Sequence, residues 1–175
     1  MSAHAKLLQE CQEFARIAPN AEKLMQRISD RLHAEFTRYN WVGFYLVDKT
    51  NPRLLVLGPY TGSFTPHELI SFEQGLCGAA ATSGKTVIVH NVADDKRYLS
   101  GSGIVKSEIV VPIFASGKLS CELDVESYFT ESFRADEESR FVEACAQIVA
   151  DYLHRTPVVW ENKEQQKGKE KRPGS

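Results

Sequence analysis

The segment Cys121-Glu122-Leu123-Asp124-Val125-Glu126 alternates strictly between apolar and acidic residues. A period of two is the repeat of a β-strand, whose successive side chains point to opposite faces. Glu122, Asp124 and Glu126 therefore share one face, and Cys121, Leu123 and Val125 share the other. The apolar face needs a core to pack against. The acidic face has two uses: an outward surface solvated by water, or the wall of an acidic pocket for a cationic or ammonium ligand. An ionised carboxyl is stable in water or against a partner, so the pattern alone leaves both open.

A second strand is as clear. Trp41-Val42-Gly43-Phe44-Tyr45-Leu46-Val47 is rich in aromatic and β-branched residues. Trp41, Gly43, Tyr45 and Val47 share one face; Val42, Phe44 and Leu46 share the other. Asp48-Lys49-Thr50-Asn51-Pro52 reads as a turn, and residues 54–58 return as its hairpin partner. Further strands are expected over 86–90, 108–114 and 119–126, the last two joined by Ala115-Ser116-Gly117-Lys118. Residues 59–68 read as a loop, and 69–72 as a short apolar piece. Helical spacing places Leu7, Leu8, Cys11, Phe14 and Ala15 on one stripe of a helix over 4–17. Asn20 is a natural N-cap for a helix over 21–37, with Leu24, Met25, Ile28, Leu32 and Phe36 inward. A last helix, about 135–154, carries Asp136, Glu137 and Glu138 in its first turn, where the helix dipole favours them. Its buried stripe is Phe141, Val142, Cys145, Ile148, Val149 and Tyr152. Short turns between successive strands favour an antiparallel sheet. The expected architecture is α+β, with the terminal helices packed on one sheet face and a loop-covered ligand pocket on the other. One domain spans residues 1–154, and the polar residues 155–175 read as a flexible tail.

A chain of 175 residues suits one domain with a sizeable core. Its net charge of −2 implies no general attraction to nucleic acid or anionic membrane. No apolar run approaches the ~20 residues of a membrane span. The start, Met1-Ser2-Ala3-His4, runs straight into an amphipathic pattern rather than a signal peptide. The four cysteines, Cys11, Cys77, Cys121 and Cys145, form no CxxC pair and have no histidine at zinc spacing. Reduced thiols in a cytoplasmic protein are expected, with no metal and no cofactor. Cys11, Cys121 and Cys145 fall on core faces. Cys77 stands apart, in Gly75-Leu76-Cys77-Gly78-Ala79-Ala80, where a loop enters a short helix over 76–83. A helix N-terminus lowers a thiol pKa, whereas a packing role needs only a small apolar residue there. The loop over 91–106 is long enough for a binding lid or for a solvated connection. His4, His67 and His90 have no partner at a recognised spacing and receive no catalytic role.

Several blocks in order identify a resemblance to the GAF domain, and more narrowly to the free methionine-R-sulfoxide reductase family. They are Asn40-Trp41-Val42-Gly43-Phe44-Tyr45-Leu46, Leu57-Gly58-Pro59-Tyr60-Thr61-Gly62, Gly75-Leu76-Cys77-Gly78, Ser107-Glu108-Ile109-Val110-Val111-Pro112 and Leu123-Asp124-Val125-Glu126-Ser127. In that family an aromatic pair encloses the substrate, a role the resemblance gives to Trp41 and Tyr45. The acids that hold the ammonium and sulfoxide groups correspond to Glu108, Asp124 and Glu126. The last is commonly Asp in the family, so the side chain here is one methylene longer. The family uses up to three cysteines, and only the middle one is matched, by Cys77. One of the others falls at Pro66-His67, and the reactive loop cysteine falls at Gly101, between Ser100 and Ser102. The family chemistry needs a thiolate that attacks the sulfoxide sulfur, becomes a sulfenic acid and is resolved as a disulfide. Serine has no such redox ladder.

The resemblance, with these departures, implies a small-molecule-binding GAF domain for a methionine sulfoxide-like amino acid, non-catalytic or weakly catalytic. The alternative is an active free methionine-R-sulfoxide reductase using Cys77. A cyclic-nucleotide or tetrapyrrole signalling sensor is disfavoured, because an acidic pocket repels phosphate. Three clustered carboxylates repel one another, so at least one pKa is expected to rise in the empty pocket. Stripes such as Leu7, Phe14, Ile148 and Tyr152 suit a homodimer interface or a monomer core equally.

Overall fold

In the computed structural model, which describes residues 1–64 and 66–157, six strands form one sheet in the order β3-β2-β1-β6-β5-β4. The strands are β1 (Trp41–Val47), β2 (Leu54–Gly62), β3 (Leu69–Ser71), β4 (Val87–Val89), β5 (Ser107–Ala115) and β6 (Lys118–Ser127). Every neighbouring pair is antiparallel. The helices are α1 (Ala3–Ala15), α2 (Ala21–Glu35), α3 (Gly75–Ser83) and α4 (Asp136–Arg155).

Local chemistry sets the boundaries. The Asn20 side chain accepts from the Lys23 N–H at 2.9 Å and starts α2. Asp48 Oδ1 accepts from the N–H groups of Thr50 and Asn51, both at 2.8 Å, which closes the β1–β2 turn. In the β5–β6 turn, Ser116 and Gly117 both have positive φ, 52° and 78°. That left-handed pair matches the twist of a tight hairpin. Gly84, at φ 66°, ends α3.

The sheet separates two apolar layers. Val42, Phe44 and Leu46 of β1 join Cys121, Leu123 and Val125 of β6 under α1, α2 and α4. Cys11 and Cys145 are buried in the same layer, as are Leu7, Ile148 and Tyr152 of the helical stripes. On the opposite face, Trp41 and Tyr45 pack with Leu55, Ile70 and Val110 against Leu76, Cys77 and Ala80 of α3. This is the expected α+β arrangement, with α1, α2 and α4 on one face.

Two expectations need correction. β2 continues to Gly62 rather than ending at Gly58, because residues 60–62 pair with the start of β1. The register shifts between Gly43 and Tyr45, leaving Gly58 and Pro59 opposite Phe44. A bulge is where a strand tolerates proline, so Pro59 did not end the strand. The apolar piece at 69–72 is also a strand, β3, paired with residues 54–56 of β2. Residues 158–175, which hold most of the expected tail, lie outside the described residues.

The Trp41 indole lies flat over the β1–β2 backbone, and a methyl group built on Gly43 or Gly62 overlaps its ring. The two glycines are therefore the bed of the indole. It stacks on Tyr60, Phe64 and Tyr45 at centroid distances of 5.5, 6.0 and 6.2 Å. Gly62→Ala is expected to displace the ring and to cost about 1–3 kcal/mol. Thermal denaturation checks this; an unchanged melting temperature would show the indole free to move aside.

Candidate functional site

Strand alternation turns Glu122, Asp124 and Glu126 of β6 toward α3. β5 adds Glu108, in register with Glu126, and β1 adds Trp41 opposite Glu126 and Tyr45 opposite Glu122. α3 brings Cys77 over this row, with Sγ 3.6 Å from Asp124 Oδ2. The acidic face is not a solvated surface: Glu122, Asp124 and Glu108 are only 0%, 2% and 5% exposed. The outward solvated use is thereby excluded; Asp124 and Glu126 line a cavity, and Glu122 lies outside its lining.

A cavity of about 20 Å³ lies over the row, bounded by Tyr45, Cys77, Glu108, Asp124 and Glu126. Phe64, Pro66, His67, Leu99 and Gly101 cover it. In this closed state it has room for one water-sized occupant. Leu99 and Gly101 of the long loop reach the cavity, while most of the loop is exposed to solvent. Its base is pinned where the Val92 N–H donates to the Lys106 carbonyl at 2.8 Å. The two covering segments are stitched together by His67 Nε2 and the Ser100 carbonyl, 3.0 Å apart. Tyr45 Oη donates to the His67 carbonyl at 2.9 Å and ties the cover to β1. His67, which has no partner at a recognised spacing, therefore joins the two segments at the cavity wall. Its partners lie 22 and 33 residues away, beyond any local motif.

Trp41 lies outside the cavity lining, fully buried in the aromatic stack behind Tyr45 and Phe64. Gly101 sits at the cavity wall. A methyl built there meets Phe64 and His67 at ordinary contact distances of 3.6 and 3.9 Å, so a side chain fits.

Electrostatics follow from burial. Desolvation, reinforced by neighbouring carboxyls, pushes Glu108 and Asp124 well above the usual carboxylate range. Desolvation likewise raises Glu122, and lifts Glu126 to about 8. Of the two readings of Cys77, the raised thiol agrees with the packed residue. Burial, and then the charges of Asp124, Glu122, Glu108 and Glu126, push its thiol up rather than down. The start of α3 does not reverse this: its N-cap, Gln74, makes no side-chain cap, and no Lys or Arg lines the cavity. Two buried polar atoms, Asp124 Oδ1 and Trp41 Nε1, have no hydrogen-bond partner. An unpaired buried polar atom costs about 1–3 kcal/mol; of these two only Asp124 lines the cavity, where an occupant can satisfy it.

The GAF domain family model matches residues 18–154, and the chain belongs to the GAF domain family. Within it, the chain is related to the free methionine-R-sulfoxide reductases. It is 36% identical over 112 residues to the free methionine-R-sulfoxide reductase of Saccharomyces cerevisiae, covering 63% of this chain and 61% of that protein. It is 40% identical over 98 residues to GAF domain-containing protein A of Dictyostelium discoideum, covering 56% of this chain and 60% of that one. The matched stretch thus spans about three fifths of both curated relatives. The structure of free methionine-R-sulfoxide reductase from Neisseria meningitidis in complex with its substrate superposes with a TM-score of 0.81 at 28% identity, over 89% of this chain and 92% of that one. Among the described residues, no helix is long and apolar enough to cross a membrane.

The raised carboxyls make a pH prediction. The folded chain keeps protons that the unfolded chain loses above the ordinary carboxylate range. The stability they contribute is complete below that range and is lost as pH rises through about 8, the Glu126 value. The melting temperature of the ligand-free protein should fall between pH ~5 and ~8, and Glu126→Gln should flatten that slope by up to a few kcal/mol. A variant with the wild-type slope would remove Glu126 from this account.

Proposed function

We propose that this GAF domain binds a free, methionine sulfoxide-like amino acid between the acidic face of β6 and the covering loop, with little or no catalysis of its own. One observation carries the reading: Glu108, Asp124 and Glu126 are gathered beside Tyr45 with no Lys or Arg among the described residues of the cavity lining. An α-ammonium group supplies the missing charge through charge-assisted hydrogen bonds, and Tyr45 offers it an aromatic face. A cavity of about 20 Å³ is too small for an amino acid, so entry requires Phe64, Pro66 and His67 to part from Leu99 and Gly101.

The Saccharomyces and Neisseria relatives are free methionine-R-sulfoxide reductases by name. Reduction by this chain would need Cys77 as a thiolate, and both its burial and the surrounding carboxyls oppose one. The charge of the lining suits the ligand once the cavity widens, while its one thiol is poorly placed to react.

Calorimetric titration with free methionine-R-sulfoxide, run beside a turnover assay with a thiol reductant, tests the reading. Binding without turnover is expected, and Asp124→Asn should weaken it at least tenfold, or about 1.4 kcal/mol. Turnover that disappears in Cys77→Ser would make the chain a reductase and overturn the non-catalytic reading. Gly101→Cys places a thiol at the open wall and is expected to raise turnover at least tenfold over wild type. A variant that binds the sulfoxide yet stays inert would show that a thiol at this position is not the missing element.

A further inference from the structure

Cys77, Glu108 and Asp124 come from three separate elements, yet one donor atom of each lies within 4.8 Å of the other two. All three side chains are buried. The Cys77 Sγ–Asp124 Oδ2 distance is 3.6 Å. Around a tetrahedral metal with bonds of about 2.3 Å to sulfur and about 2.1 Å to oxygen, a sulfur–oxygen edge is about 3.6 Å and an oxygen–oxygen edge about 3.4 Å. The thiol's hydrogen bond to Asp124 Oδ2 thus already spans the length of one such edge, and the others need a closure of at most about 1.4 Å.

Two independent observations point to an occupant. Asp124, 2% exposed and lining the cavity, leaves Oδ1 without a hydrogen-bond partner. The cavity that these three residues bound has about 20 Å³, the space of a single water or ion. We propose that Cys77, Glu108 and Asp124 form a site for one divalent cation of the zinc class, with its fourth position open to the cavity. The donor set selects the class: a thiolate among carboxylates favours a borderline-soft ion over magnesium or calcium. Binding displaces the thiol and carboxyl protons to solvent. The donors are spread from residue 77 to residue 124, so no ligand spacing in the sequence announces them. The site does not depend on an amino-acid ligand, although both occupants would use Glu108 and Asp124.

The test is titration of the chelator-stripped full chain with cadmium, read by the ultraviolet charge-transfer band of a cadmium–thiolate bond. Zinc affinity is measured alongside by competition with a chromophoric chelator. One ion per chain is expected. The band should vanish in Cys77→Ser and survive in Cys11→Ala, and zinc affinity should fall at least tenfold in Asp124→Asn and Glu108→Gln. A wild type with no band, a band that survives Cys77→Ser, or carboxyl variants with unchanged affinity would each overturn the site. If Cys77→Ser fails to fold, the two near-isosteric carboxyl variants still decide it. Methionine sulfoxide binding to the same stripped protein separates the two proposals: its presence without metal binding sinks this site alone, and the converse sinks the amino-acid reading alone.

Discussion

The structure turns on a strand that buries charge-bearing side chains on one face and apolar ones on the other. Glu122, Asp124 and Glu126 are set into the sheet by the same alternation that sends Cys121, Leu123 and Val125 into the helical layer. A slip of β6 by one residue would exchange the faces and put carboxyls under α4. The apolar layer therefore fixes the register, and the register delivers the acids. The carboxyls tolerate burial by retaining protons, as the raised values of all four show.

The rest of the fold accommodates that row. β1, central beside β6, places Tyr45 at the cavity, while two glycines let the Trp41 indole lie against the sheet behind it. α3 closes one side with small residues and brings a thiol to within 3.6 Å of Asp124. The covering segments complete the enclosure through the hydrogen bonds of His67.

The helical layer was legible in the sequence because its strands and helices rest on periodic signals several residues long, whereas the apolar layer under α3 was not. Nor was β3, since three residues cannot display an alternation. The end of β2 was obscured by Pro59, whose strand-breaking meaning is cancelled by a bulge that local sequence does not reveal. The resemblance named Tyr45, Glu108, Asp124 and Glu126, and the fold brings all four to one cavity, with Trp41 one layer behind. Whether the acidic face was wet or buried depended on α3 and on residues 64–67 and 99–101, all distant in sequence. The two readings of Cys77 stayed open in the sequence for the same reason. A helix N-terminus is a local cue for a low thiol pKa, but carboxyls supplied by β5 and β6 outweigh it.

The His67 stitches also make the cover a clock. On the proposed reading, a guest larger than water enters only when the Tyr45–His67 and His67–Ser100 contacts part. Affinity measured from outside would then be the intrinsic affinity scaled by the fraction of time this gate stands open. Residues of the cover, such as Leu99 at the cavity wall, would set residence time while the acids beneath set selectivity.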